Sequence, residues 1–305
     1  MNARTPLELD TLTTESADPR FAQIDRLPIA QLAALMNDAD HGVPAAVRAA
    51  MPQIVAALEA AAERMQAGGR LIYVGAGTPG RIGVLDASEC PPTFSSPPEQ
   101  VFAIMAGGPA AIVDAVEGAE DDAPAGAAAI DAANVGPLDT VIGIASSGRT
   151  PFVVGAVRRA RARGALGIGL SCNEGTELSA VAEHGIEVVV GPEFISGSTR
   201  LKAGSAQKLV LNMFSTIVMV RLGKTYGNLM VDVHASNDKL RERAVGIVRT
   251  ITGSSRRSAV EALEACGYSV KVAAVMLGRG MDVAGARNAL EATGGRLRSV
   301  LEGGQ

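Results

Sequence analysis

The sequence predicts an α/β fold, a doubly wound three-layer sandwich with a five-stranded, mostly parallel sheet, followed by a small C-terminal all-helical domain. Three observations lead there. Apolar runs without strict alternation, such as TVIGIA and ALGIGL, recur between helical patterns, and strands of that kind are covered on both faces. Loops rich in glycine and hydroxyl residues follow these runs, where open α/β sheets bind ligands. From residue 253 the alternation gives way to short helical patterns separated by Gly267, Gly278–Gly280 and Gly294–Gly295.

Taken in chain order, residues 1–43, punctuated by Pro6, Pro19 and Pro28, read as an extended arm with a short helix. From Pro44 to Ala67 apolar residues recur at three- and four-residue spacing, which predicts a long amphipathic helix closed by Gly68-Gly69. Strands are expected at 71–75, 101–105, 139–144, 166–171 and 187–191, with helices near 80–87, 109–117, 151–163 and 176–183. A long helix from about 201 to 222 ends the α/β domain, which therefore spans 44–222. A linking helix is expected over 223–252 and the helical domain over 253–305, with Ser254 or Ser255 capping its first helix.

Composition narrows the function classes. The 305 residues, 47% hydrophobic and 20% charged, suffice for a large core. A net charge of −4, 3% aromatics and no Trp argue against nucleic acid and anionic membrane as partners. The N-terminus MNARTPLELD lacks an apolar signal segment, and the longest apolar stretch, Leu209 to Val220, is broken by Asn212 and Ser215, so a cytoplasmic location is expected. Cys90, Cys172, Cys266 and His41, His184, His234 are scattered, which suggests neither a disulfide framework nor a metal site.

Two loops suit an anion. Gly75, Gly77 and Gly80 satisfy G-x-G-x-x-G, but the acid that a dinucleotide ribose needs at the end of the second strand is missing there. The stretch ASSGRTPF, 145–152, offers Ser146, Ser147 and Thr150 as hydroxyls, Gly148 for close approach and Arg149 as a cation, just before a helix that Pro151 opens. Free amides and the dipole at such a terminus favour a phosphate. A second opening of that kind, SGSTRLKAGSAQK, adds Ser198, Arg200 and Lys202.

The strings GAGT-GR-G-LDASECPP (dashes at the unmatched Pro79, Ile82 and Val84), AVEGAED, SGRTPFV, SCN, GSTRLKAGSAQKLVLNM and GKTYGNLMVDV resemble the N-acetylmuramic acid 6-phosphate etherase family, built on the sugar isomerase (SIS) phosphosugar-binding fold with a UBA-like helical tail. The resemblance runs from about residue 14 to the C-terminus. It implies cleavage of the D-lactyl ether of N-acetylmuramate 6-phosphate to N-acetylglucosamine 6-phosphate and D-lactate, in cell-wall amino sugar recycling. It implies no metal or organic cofactor, and a homodimer. The family's catalytic glutamates fall on Glu89 in DASEC, as proton donor, and Glu120 in VEGAED, as general base, with exchange of the two roles open. Its phosphate loop falls on Ser147 to Thr150, with Gly77 and Thr78 nearby. This chain departs from the family at Pro79, where Ser is common, and in TTESADPRFAQID, which lacks an Asn often found there. Two other readings share the fold: a non-catalytic phosphosugar sensor and an aldose–ketose phosphosugar isomerase.

Overall fold

The computed structural model describes residues 12–114 and 116–303. The signal-segment reading rests on MNARTPLELD, residues 1–10, which lie outside the described residues, as do Ala115 and residues 304–305. The chain divides into two compact units. One takes in residues up to Ala87 together with Glu99–Ser215, and the other Ser88–Pro98 together with the residues from Thr216 on.

The first unit opens with 3-10 turns at Pro19–Phe21 and Ile24–Arg26, then three helices: α1 (Ile29–Asp40), α2 (Val43–Ala49) and α3 (Met51–Gln66). The single helix expected over 44–67 is thus broken at Ala50, where Pro52 enters as a first-turn residue of α3. Then come β1 (Leu71–Gly75), α4 (Gly77–Phe94), β2 (Val101–Met105), α5 (Ala123–Ala132), β3 (Thr140–Ile144), α6 (Pro151–Ala162), β4 (Leu166–Ser171), α7 (Glu177–Val181), β5 (His184–Glu187) and α8 (Lys202–Arg221). The five strands are all parallel, in the order β2-β1-β3-β4-β5. The order reverses between β1 and β3, which puts the loops after those strands at the topological switch point.

The apolar runs become central strands because both faces are covered: β1, β3 and β4 are buried at every position. On one face Ile72, Val74 and Val141 pack with Ile130 of α5 and with Phe152, Val153 and Val157 of α6. The strand expected at 187–191 lies earlier. Glu183 N–H donates to the Gly167 carbonyl at 2.8 Å, so the ladder with β4 starts there, and it ends with Val188 N–H on the Ser171 carbonyl at 2.9 Å.

Two helix expectations also need correction. In place of a helix over 109–117 there are 3-10 turns at Pro109–Ile112 and Ala119–Asp121. The helix comes later, as α5, started by Asp122, whose carboxylate accepts Ala125 N–H at 2.8 Å, with Pro124 in the first turn. And α4 does not stop near Ala87. It runs through Pro91 and Pro92 to Phe94, its last turns anchored by the buried side chains of Cys90 and Phe94.

In the second unit a short hairpin, β6 (Thr225–Tyr226) and β7 (Leu229–Met230), occupies the start of the stretch expected to be a linking helix. Helices α9 (Asp238–Thr252), α10 (Arg256–Ala265), α11 (Val270–Arg279), α12 (Val283–Ala292) and α13 (Leu297–Glu302) follow. Their core includes Val248, Leu263, Val275 and Leu290. Asn237, Ser255 and Asp282 cap α9, α10 and α12 through their side chains. Among the described residues no single helix is long and apolar enough to cross a membrane.

Candidate active site

The hydroxyl loop sits at the carboxyl end of β3 and is held from several directions. Ser146 is buried, and its Oγ accepts from Gln207 Nε2 of α8 at 2.9 Å. Its carbonyl accepts Cys172 N–H at 3.0 Å and Asn173 Nδ2 at 2.9 Å. Ser147 Oγ accepts Arg149 N–H at 3.2 Å. Gly148 has φ +69, and a Cβ there would meet the Thr176 side chain at 2.4 Å, so only glycine fits this turn without strain. Thr150 is the N-cap of α6 and makes no side-chain cap hydrogen bond. The first amides of α6 are therefore left to a ligand or to water.

The glycine loop leads into α4, which begins at Gly77. A Cβ on Gly75 would lie 2.6 Å from Gly80 Cα, so these glycines serve close strand-to-helix packing. Gly77 lines a cavity of about 180 Å³ together with Glu120. Glu120 is exposed on the turn that Gly118, at φ +72, sets up. Arg81 braces this loop by donating to the carbonyls of Ile112 and Ala111, both at 2.9 Å. Thr78 lines a different cavity, with Arg200 and Lys208. Glu89 is exposed on α4, in the stretch assigned to the second unit.

The second basic opening is built differently from the first. The amides of Lys202 and Ala203 that start α8 donate to the carboxylate of Glu193, at 3.0 and 2.9 Å. Lys202 is buried and its Nζ donates to the Val190 carbonyl at 2.8 Å. Burial holds the Lys202 amine below its ordinary pKa, and raises the Glu193 carboxyl. This helix start carries its own buried carboxylate, so Lys202 is engaged inward rather than presented to a phosphate. Ser198 is half-buried in the turn before α8.

Several residues that hold the site were missed in the sequence. Asn173, in SCN, ties the segment of Thr14 to the hydroxyl loop. Gln207 anchors Ser146, and Glu193 closes α8. A helix-facing Gln and a Glu in PEFIS give no local signal. Asn173 and Gln207 sit in quoted strings, but their roles depend on partners 159 and 61 positions away. Burial pushes the Cys172 thiol up to about 12, with the Glu193 carboxylate adding to the effect, which removes it as a nucleophile at neutral pH. Among the described residues no group of three or more His, Cys, Asp or Glu is placed to hold a metal ion.

Comparison with known proteins gives three matching family profiles. They are the glucokinase regulatory protein N-terminal SIS domain over residues 53–161, the SIS domain over 123–217, and the C-terminal lid domain of glucokinase regulatory protein over 227–277. Among solved structures, a phosphoheptose isomerase from Francisella tularensis is similar in fold (TM-score 0.50, 20% identity, covering 63% of this chain and 98% of that one). An N-acetylmuramic acid 6-phosphate etherase from Streptomyces avermitilis is 56% identical over 96% of this chain and 94% of its own length. One from Rubrobacter xylanophilus is 56% identical over 97% and 98%, and one from Deinococcus radiodurans 52% over 97% and 97%. With half of the residues shared end to end, and the SIS fold and its hydroxyl loop in place, the chain belongs to the N-acetylmuramic acid 6-phosphate etherase family.

Proposed function

We propose that this chain cleaves the D-lactyl ether of N-acetylmuramate 6-phosphate, releasing D-lactate and N-acetylglucosamine 6-phosphate in peptidoglycan recycling. The family relationship carries the reaction. One structural observation supports the chemistry in this chain: Glu120 and the glycine loop line the same cavity, beyond the carboxyl ends of β1 and β2. The phosphate binds at the loop Ser146 to Thr150, on the amides that open α6.

With the sugar ring open, the C1 aldehyde acidifies the hydrogen on C2. Glu120 takes that proton, the C3–O bond breaks, and Glu89 gives a proton to the departing lactate oxygen. Water then adds across the C2–C3 double bond, hydroxyl to C3 and proton to C2, with the two carboxyl groups in reversed roles. Paired acid–base groups of this kind contribute factors of about 10²–10⁴ each. The site of action is the cytoplasm, and the working form is a homodimer. The mostly apolar helix α1 buries none of its residues within this chain, and Ile29 is 84% exposed.

The test is to incubate the purified protein with N-acetylmuramate 6-phosphate and measure D-lactate. Stoichiometric lactate and N-acetylglucosamine 6-phosphate are expected. Rearranged sugar without lactate would mean an isomerase, and binding with no product a sensor.

A further inference from the structure

Substrate and product of the proposed reaction share the 6-phosphate and differ by the lactyl arm. That arm carries a second anion, a carboxylate, and a methyl group on the same carbon. The cavity around Glu120 does not suit an anion. Glu117 lines it as well, and its arginine, Arg81, is engaged by backbone carbonyls.

Thr78, next in the chain after Gly77, faces a second cavity of about 480 Å³. Arg200 and Lys208 line it with Asp40, and Ile82 and Leu209 supply apolar surface. Among the described residues neither cation forms a direct salt bridge, although the Lys208 ammonium acts on the Asp86 carboxyl and draws its pKa down; the lining residues themselves, two cations and one carboxylate, carry a net positive charge. The turn that carries Arg200 is fixed by the Glu193 cap on the first amides of α8, and Lys208 stands on that same helix. The backbone that carries both cations is therefore held in place beside the glycine loop. A guanidinium and an ammonium flanked by apolar side chains bind a carboxylate more strongly than fully hydrated cations do.

We infer that this cavity is the subsite for the lactyl arm: Arg200 and Lys208 bind its carboxylate, and Ile82 and Leu209 receive its methyl group. The assignment rests on the etherase reading and deepens it. It makes these two cations the residues that distinguish the substrate from the product sugar. Once the ether is cut, the sugar keeps only its phosphate anchor.

The test uses Arg200→Ala and Lys208→Ala, both at exposed positions, on the Glu89→Gln background so that binding is read apart from turnover. Calorimetry compares N-acetylmuramate 6-phosphate, its neutral lactyl amide, and N-acetylglucosamine 6-phosphate. Each substitution is expected to weaken the first ligand about tenfold, the scale of one hydrogen bond to an ion, and to leave the other two unchanged. Equal weakening of all three would make this the phosphate site, and no change in any would leave the cations without a ligand. Either result overturns the subsite. Absence of lactate release by the parent chain would instead count against the reaction, because the ligand preference is measured without it.

Discussion

The side-chain amide of Asn173 donates to the Ser146 carbonyl at 2.9 Å and to Thr14 Oγ1 at 3.1 Å, while its oxygen accepts Thr14 N–H at 3.2 Å. One buried side chain thus fixes both the start of the hydroxyl loop and the segment around Thr14, which is itself fully buried. Asn173→Ala leaves these groups short of partners, at a cost of about 1–3 kcal/mol. Denaturant titration should show that loss, and inhibition by N-acetylglucosamine 6-phosphate should weaken with it. Thr14→Ser should retain wild-type behaviour where Thr14→Val does not. A stability loss with unchanged sugar binding would restrict Asn173 to a packing role.

Gly148→Ala tests the turn directly. Its φ of +69 and the 2.4 Å approach of a Cβ to Thr176 combine backbone strain with overlap, and strain of this kind costs about 1–3 kcal/mol. The loop should relax by moving its amides off the phosphate position. A raised KM with a lowered melting temperature is expected, and unchanged KM would place the phosphate elsewhere.

For the two glutamates, Glu89→Gln and Glu120→Gln should each reduce lactate release by about a hundredfold or more, the lower end of general acid–base effects, and both should keep product-sugar affinity. Solvent exchange at C2 in deuterated water separates their roles. Loss of the base abolishes exchange, whereas loss of the acid leaves it. Exchange surviving in Glu120→Gln but not in Glu89→Gln would exchange the assignment.

In α1, Ile29→Asp with Leu32→Asp should yield monomers by light scattering with the fold intact, because neither side chain is buried within the chain. A dimer that survives both changes would place its interface on another surface.

The fold was legible where burial on both faces leaves its mark on composition, as in LIYVG and TVIGI. It was illegible where a rule is locally broken. Pro91 and Pro92 signal a helix end, yet α4 passes through them because Cys90 and Phe94 are buried around them. The run EVVVG looks more strand-like than HGIE, but β5 pairs on one side only, and its register is set by its bonds to β4 rather than by hydrophobicity. Helix α5, with six alanines among its ten residues, carries little periodic signal, and its local cues are confined to Asp122 and Pro124 at its start. In the site, the hydroxyl loop could be read because its residues are contiguous. The expectation of Lys202 as an anion ligand leaves Glu193 out of account, because nothing in the local sequence reveals that Glu193 folds back onto the same helix start.

Asp86 offers a test by pH. Its carboxylate accepts from Tyr73 Oη and Asn212 Nδ2, both at 2.6 Å, and from Ser215 Oγ at 3.1 Å, so it joins α4 to β1 and α8. Burial is the larger influence and raises the carboxyl above the usual 3.8, against the opposing pull of the three donors and of the Lys208 ammonium. A folded-state pKa above the unfolded one means that the native chain holds this proton more tightly, so stability from this group falls as pH rises through the interval just above 3.8. Below that interval both states are protonated, and above it the cost is constant. Asp86→Asn removes the titration. The stability difference, wild type minus Asp86→Asn, should therefore decline as pH rises through that window and then level off, as read from urea unfolding at closely spaced pH values. Parallel profiles for the two proteins would mean that the three donors balance burial and that Asp86 is charged in the native state with no penalty.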